Sequence, residues 1–107
     1  MKYSVYFIAD AENDLMEIYK YIARNDSVDK ADYVLNKLEE TCASFESNAH
    51  RGHVPPELGR INVREYLEIH FQPYRVIYQI SGKKVFIHGI LDGRRSLEDL
   101  LQRRLLN

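Results

Sequence analysis

The N-terminal half of the chain begins with a strand pattern and continues with two helical patterns. Residues 3–9 are β-branched and aromatic without a breaker, which predicts a short strand buried on both faces. From Ala11 to about Arg24 the apolar residues recur at helical spacing, and Asp10 is the expected N-cap. Asn25-Asp26-Ser27 breaks this pattern, and Asp26 or Ser27 can cap a second helix. Its apolar stripe comprises Ala31, Val34, Leu35, Leu38, Cys42 and Phe45. The two patterns together predict an antiparallel helical hairpin.

The second half of the chain follows a two-residue period. Residues 48–60 contain two adjacent prolines and two of the five glycines, which predicts an ordered loop. Alternation over 61–71 then predicts a strand, with Val63, Leu67 and Ile69 on one face and Arg64, Tyr66, Glu68 and His70 on the other. The period resumes over 74–80, a hairpin turn is expected at 81–83, and residues 84–91 are apolar almost throughout. Such a run is typical of a central strand.

The last segment predicts a helix that begins after Ser96. Ser96 is the expected N-cap and Asp99 the third residue of a capping box. The apolar face comprises Leu97, Leu100, Leu101 and Leu105. The order β, α, α, β, β, β, α predicts an α+β fold: an N-terminal strand, a helical hairpin, a three-stranded antiparallel meander and a C-terminal helix, with the helices on one side of the sheet. At 107 residues, we expect a single domain over 1–107.

Composition narrows the class of protein. With 45% hydrophobic residues the chain is too apolar to be disordered. It has no run of ~18 apolar residues and no signal-peptide layout, so a cytoplasmic protein without membrane contact is expected. Cys42 is the only cysteine, and its place on the apolar stripe favours a buried hydrophobe over a reactive thiol.

The net charge of −1 conceals a difference between the two halves. Residues 1–50 carry five basic and ten acidic side chains, whereas residues 51–107 carry ten basic and six acidic ones. Eight of the nine arginines lie in the second half, and arginine suits bidentate recognition of carboxylate or phosphate. Solvated cations on a sheet and a helix end are the alternative interpretation.

The chain has no Gly-rich phosphate loop, no HExxH and no GxSxG, so these hydrolytic chemistries have no support. His50 and His53 lie in the loop without a carboxylate or third imidazole at a useful spacing, so no metal or cofactor is expected. His88 is expected to be a hydrogen-bonded structural residue. His70 is the best candidate acid or base, because it shares a strand face with Glu68.

A cationic and aromatic group is the strongest candidate for binding. Arg64, Tyr66 and Arg75 lie on neighbouring predicted strands, and Arg94 and Arg95 follow the central strand, so they can converge at one end of the sheet. Such a patch could hold an anionic backbone or an acidic segment of a partner. A ribonuclease would also need an acid and a base, which are not obvious here.

Several short motifs together resemble the RelE/ParE superfamily of bacterial type II toxin–antitoxin toxins. They are Leu15-x-x-Ile18-x-x-Tyr21-Ile22-Ala23, Arg51-Gly52-His53 to Pro56-Glu57-Leu58, Arg64-Glu65-Tyr66, Pro73-Tyr74-Arg75-Val76-Ile77-Tyr78, Val85-x-Ile87 and Asp92-Gly93-Arg94-Arg95. The resemblance covers nearly the whole chain and implies the same fold as the hydrophobic pattern. It also implies a cognate antitoxin, ParD-like or similar, whose C-terminal segment wraps the sheet and the hairpin.

The superfamily that the sequence resembles contains two activities, and particular residues distinguish them. RelE-like members are ribosome-dependent mRNA endonucleases, which use lysines seven and nine residues before the arginine that corresponds to Arg75, and this sequence has Glu68 and Tyr66 there. They also use a Tyr or a His-Tyr pair near the C-terminus, but no Tyr follows Tyr78 and no His follows His88.

These departures favour the ParE-like branch, whose members inhibit DNA gyrase by binding and not by catalysis. The residues expected to bind the target or the antitoxin are Arg64, Tyr66, Arg75, Arg94 and Arg95. The branch implies a toxin–antitoxin heterotetramer that contacts operator DNA only through the antitoxin. The alternatives are a RelE-like nuclease that uses Arg64, Arg75, His70 and Arg94, and a degenerate toxin that retains only antitoxin binding.

Overall fold

The computed structural model describes residues 2–93 and 96–104, without the side chains of Leu101 and Arg103. Its elements are β1 (Ser4–Phe7), α1 (Ala9–Asn25), α2 (Val28–Ala43), a short helix α3 (Pro56–Gly59), β2 (Tyr66–Phe71), β3 (Tyr74–Ser81), β4 (Lys84–Asp92) and α4 (Leu97–Arg104). Two 3₁₀ turns, Ser44–Glu46 and Ala49–Arg51, lie between α2 and α3. The predicted α+β fold and its order of strands and helices are confirmed; the short helical turns within the 48–60 loop add to them.

The helix caps agree with the sequence in two of three places. The Ser27 hydroxyl accepts a hydrogen bond from Lys30 N at 3.0 Å, and the Ser96 hydroxyl accepts one from Asp99 N at 3.2 Å. The prediction that Asp10 caps α1 is wrong, because the helix begins earlier and Ile8 is the N-cap. Asp10 lies in the first turn, where its negative charge still favours the helix dipole.

The sheet has the strand order β1-β4-β3-β2. β2, β3 and β4 form the predicted antiparallel meander, and β1 pairs with β4 in parallel. β4 is therefore an inner strand, as predicted. β1 is an edge strand, and the prediction that it is buried on both faces is wrong: Tyr6 is 46% exposed.

The strand predicted over 61–71 begins only at Tyr66. Asn62 adopts a left-handed backbone conformation with φ of 63°, which ends the extended pattern and leaves Arg64 in the loop before β2. Val63 packs beside Tyr66 and not on the predicted face with Leu67 and Ile69. Gly82, at φ of 61°, permits the tight β3–β4 turn that the sequence predicts.

The sheet has a different apolar cluster on each face. Val76, Tyr78, Val85 and Ile87 pack with Leu38 and other residues of the hairpin α1–α2. Ile77 and Leu91 point to the opposite face and pack against Leu58, Leu97 and Leu100 of α3 and α4. The prediction that the helices lie on one side of the sheet is therefore wrong.

A bulge at His88 shifts the alternation of β4, so that Ile90 shares the hairpin face with Val85 and Ile87 and Leu91 lies on the opposite face. Ile77 pairs with Gly89 but Tyr78 pairs with Ile87, so one extra residue interrupts the register. Over the part of the chain that the structure describes, none of the helices is both long enough and apolar enough to cross a membrane.

Candidate functional site

The candidate site lies on the sheet face that carries α3 and α4, and Arg75 is at its centre. Arg75 Nε donates to Glu68 Oε1 at 2.6 Å. The Arg75 Nη1 and Nη2 groups donate to the two carboxylate oxygens of Glu57 at 2.7 and 3.0 Å. One guanidinium thus joins a carboxylate of β2 to a carboxylate of α3, with bidentate geometry at Glu57.

The register of the sheet explains why Glu68 and His70 meet Arg75. His70 lies opposite Arg75 in the β2–β3 pair, and Glu68 lies two residues earlier on the same face of β2. His70 Nε2 is 2.9 Å from Glu68 Oε1, and the ring nitrogen is the donor because an ionised carboxylate can only accept. The Glu68 side chain is 1% exposed, so these contacts replace its hydration.

The 49–53 segment brings a second histidine to Glu68. Tyr78 Oη donates to Ala49 O at 2.8 Å and accepts from Gly52 N at 3.0 Å, which holds the segment against the sheet. A Cβ at position 52 would lie only 2.6 Å from Glu68 O, so this approach requires glycine. His53 and Glu68 then exchange two backbone hydrogen bonds, of 3.1 and 2.7 Å. His53 Nε2 lies 3.3 Å from Glu68 Oε2.

We call His53, Glu57, Glu68, His70 and Arg75 the Arg75 cluster. These five residues line a cavity of about 390 Å³ at the end of the sheet. With both imidazoles neutral, the cluster has two carboxylates and one guanidinium, so it carries one negative charge in excess. It can therefore accept a further proton or a cation, or donate hydrogen bonds from its imidazoles to a partner.

The electrostatics keep both carboxylates ionised. Hydrogen bonds from Arg75 lower the pKa of Glu57 against the opposing effect of burial. Burial of Glu68 would raise the pKa of that carboxyl, but the hydrogen bonds from Arg75 and His70 outweigh it and the net direction is down. In return, the bond to Glu57 and then that to Glu68 raise the pKa of Arg75, so its charge is permanent.

The structure places the predicted binding residues in different settings. Arg75 is engaged by two carboxylates and its side chain is only 14% exposed, so it is not the free cation that the sequence suggests. Arg64 is exposed, with a 3.4 Å contact from its Nε to Asn62. Tyr66 is half-buried and packs edge-on to His88. Arg94 and Arg95 lie outside the described residues.

The remaining sequence candidates are structural. Cys42 is buried, and burial followed by the nearby Glu39 charge raises the pKa of its thiol to about 12, which confirms the interpretation as a buried hydrophobe. His88 Nε2 contacts Gln79 at 3.1 Å, as predicted, and burial lowers the pKa of this histidine. His50 contacts the Tyr3 hydroxyl at 3.2 Å, away from the cluster.

Sequence reasoning missed the partners of Arg75. The sequence singles out Glu57 only as part of a loop motif, and Glu68 only as the strand-face neighbour of His70 and as the residue at a lysine position of the family's nucleases. The sequence spacing offered His53 no carboxylate, but the fold brings it to Glu68 and His70, with one ligating atom of each residue within 4.8 Å of the others. The available signal was the alternation on β2, which places an acid on the same face as Arg75 across the hairpin.

A second buried ion pair involves Arg104, the last residue of α4. Arg104 donates to both Asp14 oxygens, at 2.8 and 2.7 Å, and Asp14 Oδ2 also accepts from Ile90 N at 2.9 Å. We call Asp14 and Arg104 the Arg104 pair. It ties α4 to α1 beside Gly89, where a side chain would be within 3.0 Å of the guanidinium.

Comparisons with known proteins agree with the fold and with the resemblance. The family model that matches residues 5–97 is described as the ParE toxin of the type II toxin–antitoxin system parDE. The curated protein Toxin ParE3 of Caulobacter vibrioides is 33% identical over 87 residues, which cover 78% of this chain and 80% of that protein.

Two solved structures share the fold at lower identity. A chain of the chromosomal ParDE system from P. aeruginosa matches with a TM-score of 0.71 and 19% identity, covering 85% of this chain and 96% of that one. A chain of the toxin–antitoxin complex RelBE2 from Mycobacterium tuberculosis matches with a TM-score of 0.64 and 17% identity, covering 86% and 92%. At these identities the likeness concerns the fold alone.

Proposed function

Because the chain belongs to the ParE toxin family of type II toxin–antitoxin systems, we propose that it inhibits DNA gyrase and that a cognate antitoxin neutralises it. Gyrase acts on the bacterial chromosome, so the proposal places the protein in the cytoplasm. The proposed assembly is a toxin–antitoxin heterotetramer in which the antitoxin alone contacts operator DNA.

The observation that carries the choice of target is the environment of Glu68. By the resemblance, a nuclease of this fold would place lysines at positions 68 and 66, where they would face the RNA. Here Glu68 is 1% exposed and bonded to Arg75 at 2.6 Å, and Tyr66 packs on His88. A carboxylate at this position repels a phosphate backbone and occupies the arginine that would bind it. The site therefore suits a protein partner better than RNA.

The exposed surface offers two complementary regions to an antitoxin. Arg64 provides an accessible cation for an acidic segment, in the half of the chain that holds most arginines. Phe7, Leu15, Met16 and Leu35 line a groove of about 350 Å³ along the hairpin, and Met16 is 54% exposed. An antitoxin segment that orders on binding can place apolar side chains there, although the ordering itself opposes binding.

Induced expression in bacterial cells tests the proposal. We expect growth arrest, an SOS response and gyrase-linked DNA breaks, and we expect co-expressed antitoxin to relieve all three. Primer extension on cellular mRNA is the second readout. Codon-phased cleavage within minutes of induction would contradict the proposal and support the nuclease alternative.

Arg64→Glu is the sharpest single variant, because Arg64 is exposed and its loss leaves the Arg75 cluster unchanged. We expect it to weaken either the growth arrest or the affinity for the antitoxin. Lys20→Glu makes the same change of charge on the exposed surface of α1 and is the matched control. Equal toxicity and equal antitoxin affinity in both variants would remove Arg64 from the proposed binding surface.

Reversing the charges of Arg75 and Arg94 together is a less selective test than reversing the charge of Arg64. Arg75→Glu would bring three carboxylates together in a half-buried cluster, so loss of toxicity could reflect loss of folding. Arg94→Glu alone leaves Arg75 in place. We expect it to act on target or antitoxin binding, as Arg64→Glu does.

The nuclease alternative rests on one observation, the pair formed by His70 and Glu68 at 2.9 Å. A carboxylate that orients an imidazole is the usual support for a general base. If the chain cleaves mRNA, His70→Gln should abolish cleavage without loss of the folded state. Arrest that persists in the His70→Gln variant, without mRNA cleavage, supports gyrase inhibition.

A further inference from the structure

Three potential metal ligands converge at the mouth of the Arg75 cluster. His53, Glu68 and His70 each offer one ligating atom, and these atoms lie within 4.8 Å of one another. His53 Nε2 is 3.3 Å from Glu68 Oε2, and His70 Nε2, 2.9 Å from Glu68 Oε1, becomes a ligand when its proton moves to Nδ1. Ligands of one tetrahedral ion have similar separations, because metal–nitrogen and metal–oxygen bonds are about 2.0–2.2 Å long.

From this geometry we propose that His53, Glu68 and His70 bind a divalent transition-metal ion of the zinc class. Two imidazoles and one carboxylate make a three-ligand set that leaves a coordination position open towards the cavity. One oxygen ligand and two nitrogen ligands suit Zn²⁺ and disfavour Mg²⁺ and Ca²⁺, which require mainly oxygen. The site goes beyond the proposed toxin function and does not depend on it.

The backbone fixes the ligands before any ion binds. Glu68 and His70 lie on one face of β2, and two backbone hydrogen bonds join His53 to Glu68. The two rings already pack edge to face, with centroids 5.7 Å apart. Little conformational entropy is therefore lost when the three side chains converge on an ion.

The charge of the cluster also favours a cation. Arg75 contacts both carboxylates and Arg60 also acts on Glu57, so the buried Glu68 carboxylate is the negative charge beside the two imidazoles. Arg75 orients Glu68 through Oε1, which leaves Oε2, on the His53 side, as the better oxygen ligand. Such an outer-shell contact holds a carboxylate ligand in place. The nearby guanidinium opposes a second positive charge, so we expect moderate affinity.

Titration of the purified full-length chain with Zn²⁺ alone, followed by calorimetry, tests the proposal. We expect one ion per chain for the wild type. His53→Gln and His70→Gln should each weaken Zn²⁺ binding at least about tenfold. Loss of an outer-shell partner alone weakens metal binding by about 10–100-fold, and loss of a ligand should have no smaller effect. His50→Gln is the matched control, because His50 lies in the same loop and contacts Tyr3 instead. It should bind Zn²⁺ as the wild type does.

The same titration with Mg²⁺ should give no binding at this site. Both histidines are exposed, at 59% and 42%, so their replacement by glutamine should leave the circular dichroism spectrum unchanged. Co²⁺ added to the wild type gives an independent measurement, since a tetrahedral His-ligated ion absorbs visible light. Absence of Zn²⁺ binding, binding that survives in both glutamine variants, or equal loss in the His50→Gln variant would overturn the proposal.

Discussion

The Arg75 cluster and the Arg104 pair both contain arginine–carboxylate contacts, but the two sites have different roles. Both arginines are similarly shielded, at 14% and 17% exposure, and both join a helix to another element. Arg104 bonds to both oxygens of Asp14, which also accepts the Ile90 N–H, and Arg104 Nε lies 3.8 Å from the half-exposed Asp10. Arg75 meets two carboxylates beside two imidazoles and a cavity. Neither burial nor the number of carboxylates separates the two sites, but the two imidazoles and the adjoining cavity of the Arg75 cluster do.

This difference indicates that Arg104 stabilises the fold, whereas Arg75 belongs to the candidate binding site. Asp14 of α1 is bonded both by Arg104 of α4 and by the Ile90 N–H of β4, so the Arg104 pair holds these three elements together. The Arg75 cluster retains a negative charge and two exposed imidazoles next to open space. We therefore expect variants of the Arg104 pair to change stability, and variants at the rim of the Arg75 cluster to change binding.

The largest expected effect comes from replacing each arginine with methionine, which removes the guanidinium charge but keeps an unbranched side chain. Arg75→Met leaves two carboxylates without a counter-charge, one of them fully buried, and should lower the free energy of unfolding by about 3–5 kcal/mol. Arg104→Met leaves one buried carboxylate, Asp14, which still accepts the Ile90 N–H, and the half-exposed Asp10, so we expect about 2–3 kcal/mol. Urea unfolding measures both. A larger loss of unfolding free energy for Arg104→Met than for Arg75→Met would contradict this expectation.

The glycines beside the two sites should respond unequally to alanine. A Cβ at Gly52 would meet the backbone oxygen of Glu68 at 2.6 Å, which cannot move without breaking the bridge to His53. We expect Gly52→Ala to reduce stability by about 1–3 kcal/mol. A Cβ at Gly89 meets the flexible end of Arg104 at 3.0 Å, so Gly89→Ala should be milder. Equal thermal shifts in the two variants would contradict this reasoning.

Acid should destabilise the protein through the Arg75 cluster. The folded-state pKa values of Glu57 and Glu68 are lowered, so these groups bind fewer protons when folded than when unfolded. Their contribution to stability is complete above the ordinary glutamate pKa of about 4.3 and is lost as the pH falls through the lower folded values. Glu57→Gln should flatten the pH dependence of the urea midpoint. An unchanged slope would show that Glu57 is not the group titrated.

The smallest expected effect concerns the cap of α4. Ser96→Ala removes the acceptor for Asp99 N and should lower stability by about 1 kcal/mol. Because α4 carries Arg104, we expect this variant and Arg104→Met to be non-additive. Ser27→Ala removes the equivalent cap of α2, far from Arg104, and should add to Arg104→Met independently. Thermal unfolding of the single and double variants distinguishes the two cases.

The sequence predicted the helices and strands better than it predicted where they begin and which residues meet across the fold. The apolar stripe of α2 and the inner strand β4 were evident because their periodicity matches one buried surface. The start of β2 was missed because Asn62 adopts φ of 63°, a local conformation that alternation cannot signal. The second helical layer was missed because it depends on α3 and α4 packing over Ile77 and Leu91, a long-range contact that local periodicity does not encode.

The candidate site was predicted in location but not in composition. Arg75, Tyr66 and His70 were placed on one face from the period of the strands, and the structure confirms that face. The pairing of Arg75 with Glu68 follows from the β2–β3 register, but its pairing with Glu57 depends on α3 packing over the sheet, a long-range contact that spacing does not encode. The approach of His53 depends on Tyr78 holding Gly52, for the same reason. The binding roles of Arg64, Tyr66, Arg75, Arg94 and Arg95 stay predictions.

Supercoiling by purified DNA gyrase in the presence of the purified chain tests the proposed function most directly. We predict that the wild type inhibits supercoiling, that the antitoxin reverses the inhibition, and that Arg64→Glu inhibits less than Lys20→Glu at equal concentration. Full supercoiling activity at saturating toxin, together with codon-phased cleavage of mRNA on ribosomes, would contradict the account.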